Sequence, residues 1–153
     1  MIVSPRVALL IDADNAKLNL TPQIRQIAES YGALTICRAY GDWNQSPLSS
    51  WRKKVTGSNI NPIQQNRIGK NSTDHRLLIE AGELLGGEKA DVFIIVTGDA
   101  DFTSLCGRIK ELGKRVIGMG GRKQTSTVLR KSCHEFMYLE DIASKLGELN
   151  LLT

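Results

Sequence analysis

Two short segments stand out for what their side chains could do together, Asp12-Ala13-Asp14-Asn15 and Thr97-Gly98-Asp99-Ala100-Asp101. A further acid, Asp74, ends a run from Trp43 to Thr73 that contains none. Carboxylates brought within a few ångströms of one another repel, raise each other's pKa and destabilise a fold unless a cation stands among them. Hard divalent ions such as Mg²⁺ or Mn²⁺ meet that need, because they take oxygen ligands and keep positions for water and phosphate oxygens. Two such ions about 4 Å apart can serve both the attacking and the leaving oxygen of an in-line displacement at phosphorus. The sequence offers no persuasive serine, cysteine or histidine nucleophile. His75 and His134 have no partner at ligand spacing.

Taken singly, each acid has a structural explanation. Asp101 suits the N-cap of a following helix and Asp74 the first turn of another, and Asp12-Ala13-Asp14-Asn15 suits an ordinary turn. Asp12 and Asp99 each follow an apolar run, however, Val7–Ile11 and Val92–Val96. That placement favours Asp12, Asp74, Asp99 and Asp101 as one metal-holding, catalytic set, with Asp14 outside it. Around the set, Asn15 can orient water or an Asp12 oxygen, since its amide both donates and accepts. Thr97 is a supporting hydroxyl. Lys70 and Arg67 are expected to meet a non-scissile phosphate. Ser126, with Arg122 nearby, follows a Gly-rich turn, Gly118-Met119-Gly120-Gly121, and is a further phosphate contact. Trp43 and Trp51 flank a basic segment where a base could stack, and Trp43, just after a strand, is the stronger candidate.

These residues need elements to position them. Strands are expected at Arg6–Asp12, Ala33–Tyr40, Ile60–Gln65, Val92–Thr97, Arg115–Met119 and Glu135–Leu139. Their continuous apolarity points to strands covered on both faces. Helices are expected from Thr21, an N-cap followed by Pro22, and around Pro47–Thr56. Others are expected over Thr73–Leu85, Asp101–Leu112 and Ser126–Ser132, with a last one after Glu140. The alternation specifies an α/β fold, one doubly wound parallel sheet of five to six strands with helices on both faces. Ligands of such sheets sit beyond the carboxyl ends of the strands, where strand order reverses.

The chain has 153 residues, 41% apolar and 24% charged, which fits a single domain over residues 1–153. Its longest apolar runs are too short to cross a bilayer, and its first residues carry no secretory pattern. Cys37, Cys106 and Cys133 are scattered and read as small buried hydrophobes. A cytoplasmic setting is the expectation. Twenty Lys and Arg face sixteen Asp and Glu, and the excess is uneven. Arg52, Lys53, Lys54, Arg67 and Lys70 share one acid-free stretch, and Arg122, Lys123, Arg130 and Lys131 share another. Such stretches suit a polyanion approaching an acidic site.

Val7–Asn15 (VALLIDADN), Lys70–Glu80 (KNSTDHRLLIE), Val92–Phe102 (VFIIVTGDADF) and Ser126–Asp141 (STVLRKSCHEFMYLED) resemble the NYN domain family. That family belongs to the PIN-like nucleases, and the likeness is nearest to its LabA-like bacterial branch. The resemblance implies a PIN-like fold and a Mg²⁺- or Mn²⁺-dependent ribonuclease site acting on RNA, expected to be single-stranded. Position by position, Asp12, Asp74, Asp99 and Asp101 match the family's metal-binding acids, with Asn15 and Thr97 as supporting polar positions. The family's small apolar pair before the third acid is replaced here by Lys70-Asn71-Ser72-Thr73, and His75 follows where an apolar residue is common. Substrate contacts are therefore expected to differ at that point.

Three functions remain open on the sequence. The first is the metal-dependent endoribonuclease. The second is a non-catalytic RNA-binding or regulatory module that keeps the acids, with a homodimer or a regulatory protein as partner. The third is a phosphatase of the haloacid dehalogenase type, with Asp12 as nucleophile and Asp14 as general acid. A short chain without a cap insertion speaks against the third.

Overall fold

The computed structural model of the protein describes residues 4–66 and 72–144. Six strands form one all-parallel sheet, β1 (Arg6–Asp12), β2 (Ala33–Gly41), β3 (Asn61–Gln64), β4 (Val92–Val96), β5 (Arg115–Gly120) and β6 (Glu135–Tyr138). Their spatial order is β3-β2-β1-β4-β5-β6. The chain thus builds outward from β1 through β2 and β3, then returns to the other side of β1 and builds outward again. The reversal falls between β1 and β4, paired from Val7 opposite Val92 to Ile11 opposite Val96.

Helices cover both faces. They are α1 (Thr21–Glu29), α2 (Arg52–Gly57), α3 (Ser72–Gly86), α4 (Thr103–Glu111) and α5 (Thr127–Ser132), and backbone from 139 to 144 is also helical. Alternation along the central strands divides the core. Val7, Leu9 and Ile11 of β1 join Ile94 of β4, Ile24 and Ala28 of α1, and Val55 of α2. Ala8 and Leu10 join Phe93 and Ile95, Leu77 and Ala81 of α3, and Leu105 and Ile109 of α4. Asp12 continues the 8-10-12 series, which aims its side chain toward the α3–α4 layer.

Most expected elements are present, with shifts that have local causes. Thr21 is the first helical residue of α1 rather than its cap; a 3₁₀ turn at Leu18–Leu20 leads in, and the Thr21 hydroxyl donates to the Leu18 carbonyl at 2.9 Å. The expected Pro47–Thr56 helix is a 3₁₀ turn at Leu48–Ser50 followed by α2. A 3₁₀ turn at Ala100–Phe102 likewise precedes α4, and its cap is Asp99, not Asp101: the Asp99 carboxylate accepts from the Asp101 N–H at 2.9 Å. The expected Gly-rich turn is largely strand. Gly118 and Gly120 lie in β5, where a Cβ on Gly118 would stand 2.5 Å from the Phe136 ring and one on Gly120 would stand 2.7 Å from the Thr97 carbonyl. These glycines serve close packing, not a phosphate cradle.

Candidate metal centre

A helix that follows a parallel strand starts at the carboxyl edge of the sheet. The first turn of α3 therefore brings Asp74 to the edge where Asp12 ends β1 and where Asp99 and Asp101 follow β4. One carboxylate oxygen from each of Asp74, Asp99 and Asp101 lies within 4.8 Å of the others. Asp74 is buried, Asp99 half-buried and Asp101 exposed, so the trio runs from the interior out to the cleft.

Asp12 stands behind them, fully buried. Its oxygens are held on several sides. The Asp14 N–H donates to Oδ1 at 3.2 Å, the Asn15 amide to Oδ2 at 2.7 Å, and the Thr97 hydroxyl to Oδ2 at 3.4 Å. Thr97 Oγ1 also accepts from the Asp99 N–H at 3.3 Å, which couples the β1 acid to the β4 acids. Asp12 is hydrogen-bonded to Asp74 and joins the cluster through it, outside the trio. With no exposed surface and both oxygens hydrogen-bonded, Asp12 is not presented as a nucleophile.

The electrostatics follow from the geometry. Burial pushes the Asp74 carboxyl well above the usual carboxylate range, and hydrogen bonds and charge repulsion from Asp12 and Asp99 push it further. Burial raises Asp12 too, while the hydrogen bonds from Asp74 and Asn15 pull it back. Four acids with no lysine or arginine among the cluster's described contacts make a site whose ionised form calls for a cation. Oxygen-only donors of graded exposure are the donor set a hard divalent ion takes. The residues fit such an ion.

Beside the acids lies a cleft of about 350 Å³ lined by Asn15, Gly98, Asp99, Gln124, Thr125 and Ser126. Gly98 permits its far wall to close in. The Ser126 N–H donates to the Gly98 carbonyl at 2.9 Å, and a Cβ on Gly98 would fall 2.7 Å from the Gln124 carbonyl. Ser126 lines the cleft, and its hydroxyl caps α5 by accepting from the Leu129 N–H. Gln124 and Thr125 were not singled out from the sequence, since nothing in their local pattern shows that the β5–α5 loop folds back over Gly98.

The other expected contacts fare differently. Arg122 is engaged elsewhere: its guanidinium lies 4.2 Å from the Tyr138 ring centre and donates to Asp141 at 2.6 Å, and its N–H donates to Glu140. Trp43 is corrected outright. It is 2% exposed, its indole N–H is shared between the Ala39 and Ile63 carbonyls, and it cannot stack on a base. Arg67 and Lys70 lie outside the described residues.

Comparison with known proteins decides the lineage. Residues 6–140 match the model of the NYN domain. The chain belongs to the NYN domain family. The match takes in all six strands and every acid of the cluster, and places the chain among nuclease-type domains of PIN-like fold. Among relatives of this NYN domain is an uncharacterised protein of Methanocaldococcus jannaschii, 30% identical over 147 residues; the match takes in 94% of this chain and 56% of that protein. The NYN domain described here thus spans about half the length of that relative. A crystal structure of a Vibrio parahaemolyticus protein of unknown function shares the fold, with a TM-score of 0.78 at 21% identity over 93% of this chain and 97% of that one. No helix among the described residues is long and apolar enough to cross a membrane.

Proposed function

We propose that this NYN domain is a divalent-metal-dependent endoribonuclease of the cytoplasm, hydrolysing phosphodiester bonds of single-stranded RNA with Mg²⁺ or Mn²⁺. The observation that carries the reading is the gathering of Asp74, Asp99 and Asp101 oxygens, from two separate segments, within 4.8 Å at the carboxyl edge of the sheet. In this reading Asp74, Asp99 and Asp101 hold the ion and Asp12 completes the acidic shell from beneath. An ion bound there supplies Lewis-acid polarisation of the scissile phosphate and charge neutralisation of the leaving oxygen.

The chain's own groups do the rest. Asn15 and Thr97 fix the Asp12 carboxylate through its Oδ2, so that the shell is pre-formed. Thr97 also sets the backbone turn that aims Asp99. Asn15, Gln124 and Ser126 line the adjoining cleft, where they orient a phosphate and the attacking water. Lys70 and Arg67 remain proposed contacts to a neighbouring phosphate.

The test is cleavage of an end-labelled single-stranded RNA with Mn²⁺ present or chelated. Internal cleavage that needs Mn²⁺ and falls at least about 100-fold in Asp99→Asn supports the reading. Activity that survives Asp99→Asn overturns it, and salt-sensitive binding without products would assign a binding module instead.

A further inference from the structure

A second cavity opens on the other side of the loop that carries the acids. It has a volume of about 360 Å³ and is lined by Ala13, Ala16, Leu18, Leu48 and Trp51, with Asp14 at its edge. That volume falls in the range of small-ligand pockets, and the lining is apolar with one aromatic ring. Trp51 is half-buried, unlike Trp43, and packs against the core cluster while it faces the cavity. The Lys54 ammonium lies 4.9 Å from its ring centre. Arg52, Lys53 and Lys54 are all exposed along α2, in the stretch that holds no acid from Trp43 to Thr73. An aromatic-walled pocket with adjoining exposed cations is complementary to a nucleotide: a flat apolar base with an anionic linkage beside it.

Position makes the link to the acids. Asn15 lines the metal-side cleft, whereas its neighbours Asp14 and Ala16 line the Trp51 cavity. The two cavities share one loop, and residues adjacent in sequence are only about 3.8 Å apart. A strand whose phosphate sits at the acids therefore meets the same loop that lines the Trp51 cavity.

The geometry points to the Trp51 cavity as a base-stacking subsite for single-stranded RNA flanking the scissile phosphate, with Lys54 neutralising the backbone of the stacked nucleotide. This deepens the ribonuclease reading and takes its choice of nucleic acid from it. Stacking is sequence-tolerant, because every base presents a π-face. The subsite holds the strand in place without reading a sequence.

The experiment is equilibrium binding, by anisotropy, of labelled octauridine and of an abasic oligomer of equal length and charge, with Ca²⁺ in place of Mg²⁺. Trp51→Leu should weaken octauridine binding about 5- to 100-fold, leave the abasic oligomer and the salt dependence unchanged, and Trp51→Phe should keep part of the affinity. Octauridine should also quench tryptophan emission in the wild type and not in Trp51→Leu, since Trp43 is enclosed. Equal affinity of wild type and Trp51→Leu for octauridine overturns the subsite, as does an equal loss on both oligomers. Should Trp51→Leu fail to fold, wild-type emission that octauridine leaves unquenched overturns it as well. Cleavage separates this failure from that of the parent reading. A wild type that cuts RNA while Trp51→Leu keeps its KM removes the subsite alone; one that binds through Trp51 and never cuts removes the ribonuclease alone.

Discussion

Asp74 stands where burial and two neighbouring acids all oppose its ionisation, yet a ligand for a divalent ion must be ionised. The site is therefore strained toward the cation-bound state. At pH 7 without metal, Asp74→Asn should raise the thermal midpoint: the unfolded carboxyl is ionised and must take up a proton at a cost when it is buried beside the other acids, and a neutral amide of the same shape takes up none. Each 1 kcal/mol gained moves the midpoint of a domain this long by about 2–4 °C. The same substitution should abolish the rise in midpoint that Mn²⁺ gives the wild type, and differential scanning fluorimetry reads both. A variant less stable than wild type in the absence of metal would show that Asp74 is there for the fold. At this scale the sequence was readable wherever a residue's place follows from its element. Asp12 and Asp99 trail apolar runs, and strand ends are where parallel sheets put ligands. It was unreadable wherever burial is decided by distant chain. Trp43 looks available just after β2, but β3 supplies the Ile63 carbonyl that holds its indole inside, 20 residues on.

At the scale of the element, α3 carries the cluster. Asp74 lies in its first turn, and Leu77, one turn further on, is fully buried in the core face where α3 packs on β1 and β2. Leu77→Ala should cost about 2–5 kcal/mol in denaturant unfolding. It should also weaken Mn²⁺ binding in calorimetry, since the turn bearing Asp74 loses its anchor; unchanged affinity would show that the first turn is held independently. The β4–α4 junction makes a related demand. Gly98→Ala must displace the Gln124 carbonyl, a backbone atom that cannot swing aside, so a loss of about 1–3 kcal/mol and an altered cleft are expected. Strands and long helices were legible because their apolar periods persist over several residues. The 3₁₀ turns at Leu18–Leu20, Leu48–Ser50 and Ala100–Phe102 were not, since three residues are too few to show a period. Gly120 misled for another reason: beside Gly121 it reads as a turn until the Thr97 carbonyl is seen lying against it.

For the molecule as a whole, the two central strands have opposite ends with opposite characters. At the amino edge the Asp91 carboxylate accepts from the Arg6 N–H at 2.8 Å and from its Nε at 3.2 Å, and Lys114 donates from β5's side at 3.4 Å. The Arg6 hydrogen bonds hold Asp91 down to about 2. An unfolded aspartate titrates near 3.9, so the folded state binds this proton less readily. The stabilisation is then complete above pH 4 and is lost as pH falls toward 2. The side chain is 35% exposed, so solvent screens the effect and salt should reduce it. Asp91→Asn should flatten the acid limb of a stability-against-pH curve between pH 4 and 2 while leaving neutral-pH cleavage unaffected.

The reversal of strand order between β1 and β4 has a further consequence, in time. Thr97 and Asp12 touch across 85 residues of sequence, and the β1 acid and the acids after β4 are not brought together until that parallel pairing is made. Parallel contacts of such separation close slowly and late. A cation that favours the assembled cluster should therefore act on the way out of the native state. Mn²⁺ is expected to slow unfolding in a stopped-flow chevron and to leave the refolding limb where it was. A refolding rate that climbs with Mn²⁺ would mean the opposite: that β1 and β4 are already side by side at the barrier, and that the acids take part in bringing the chain together.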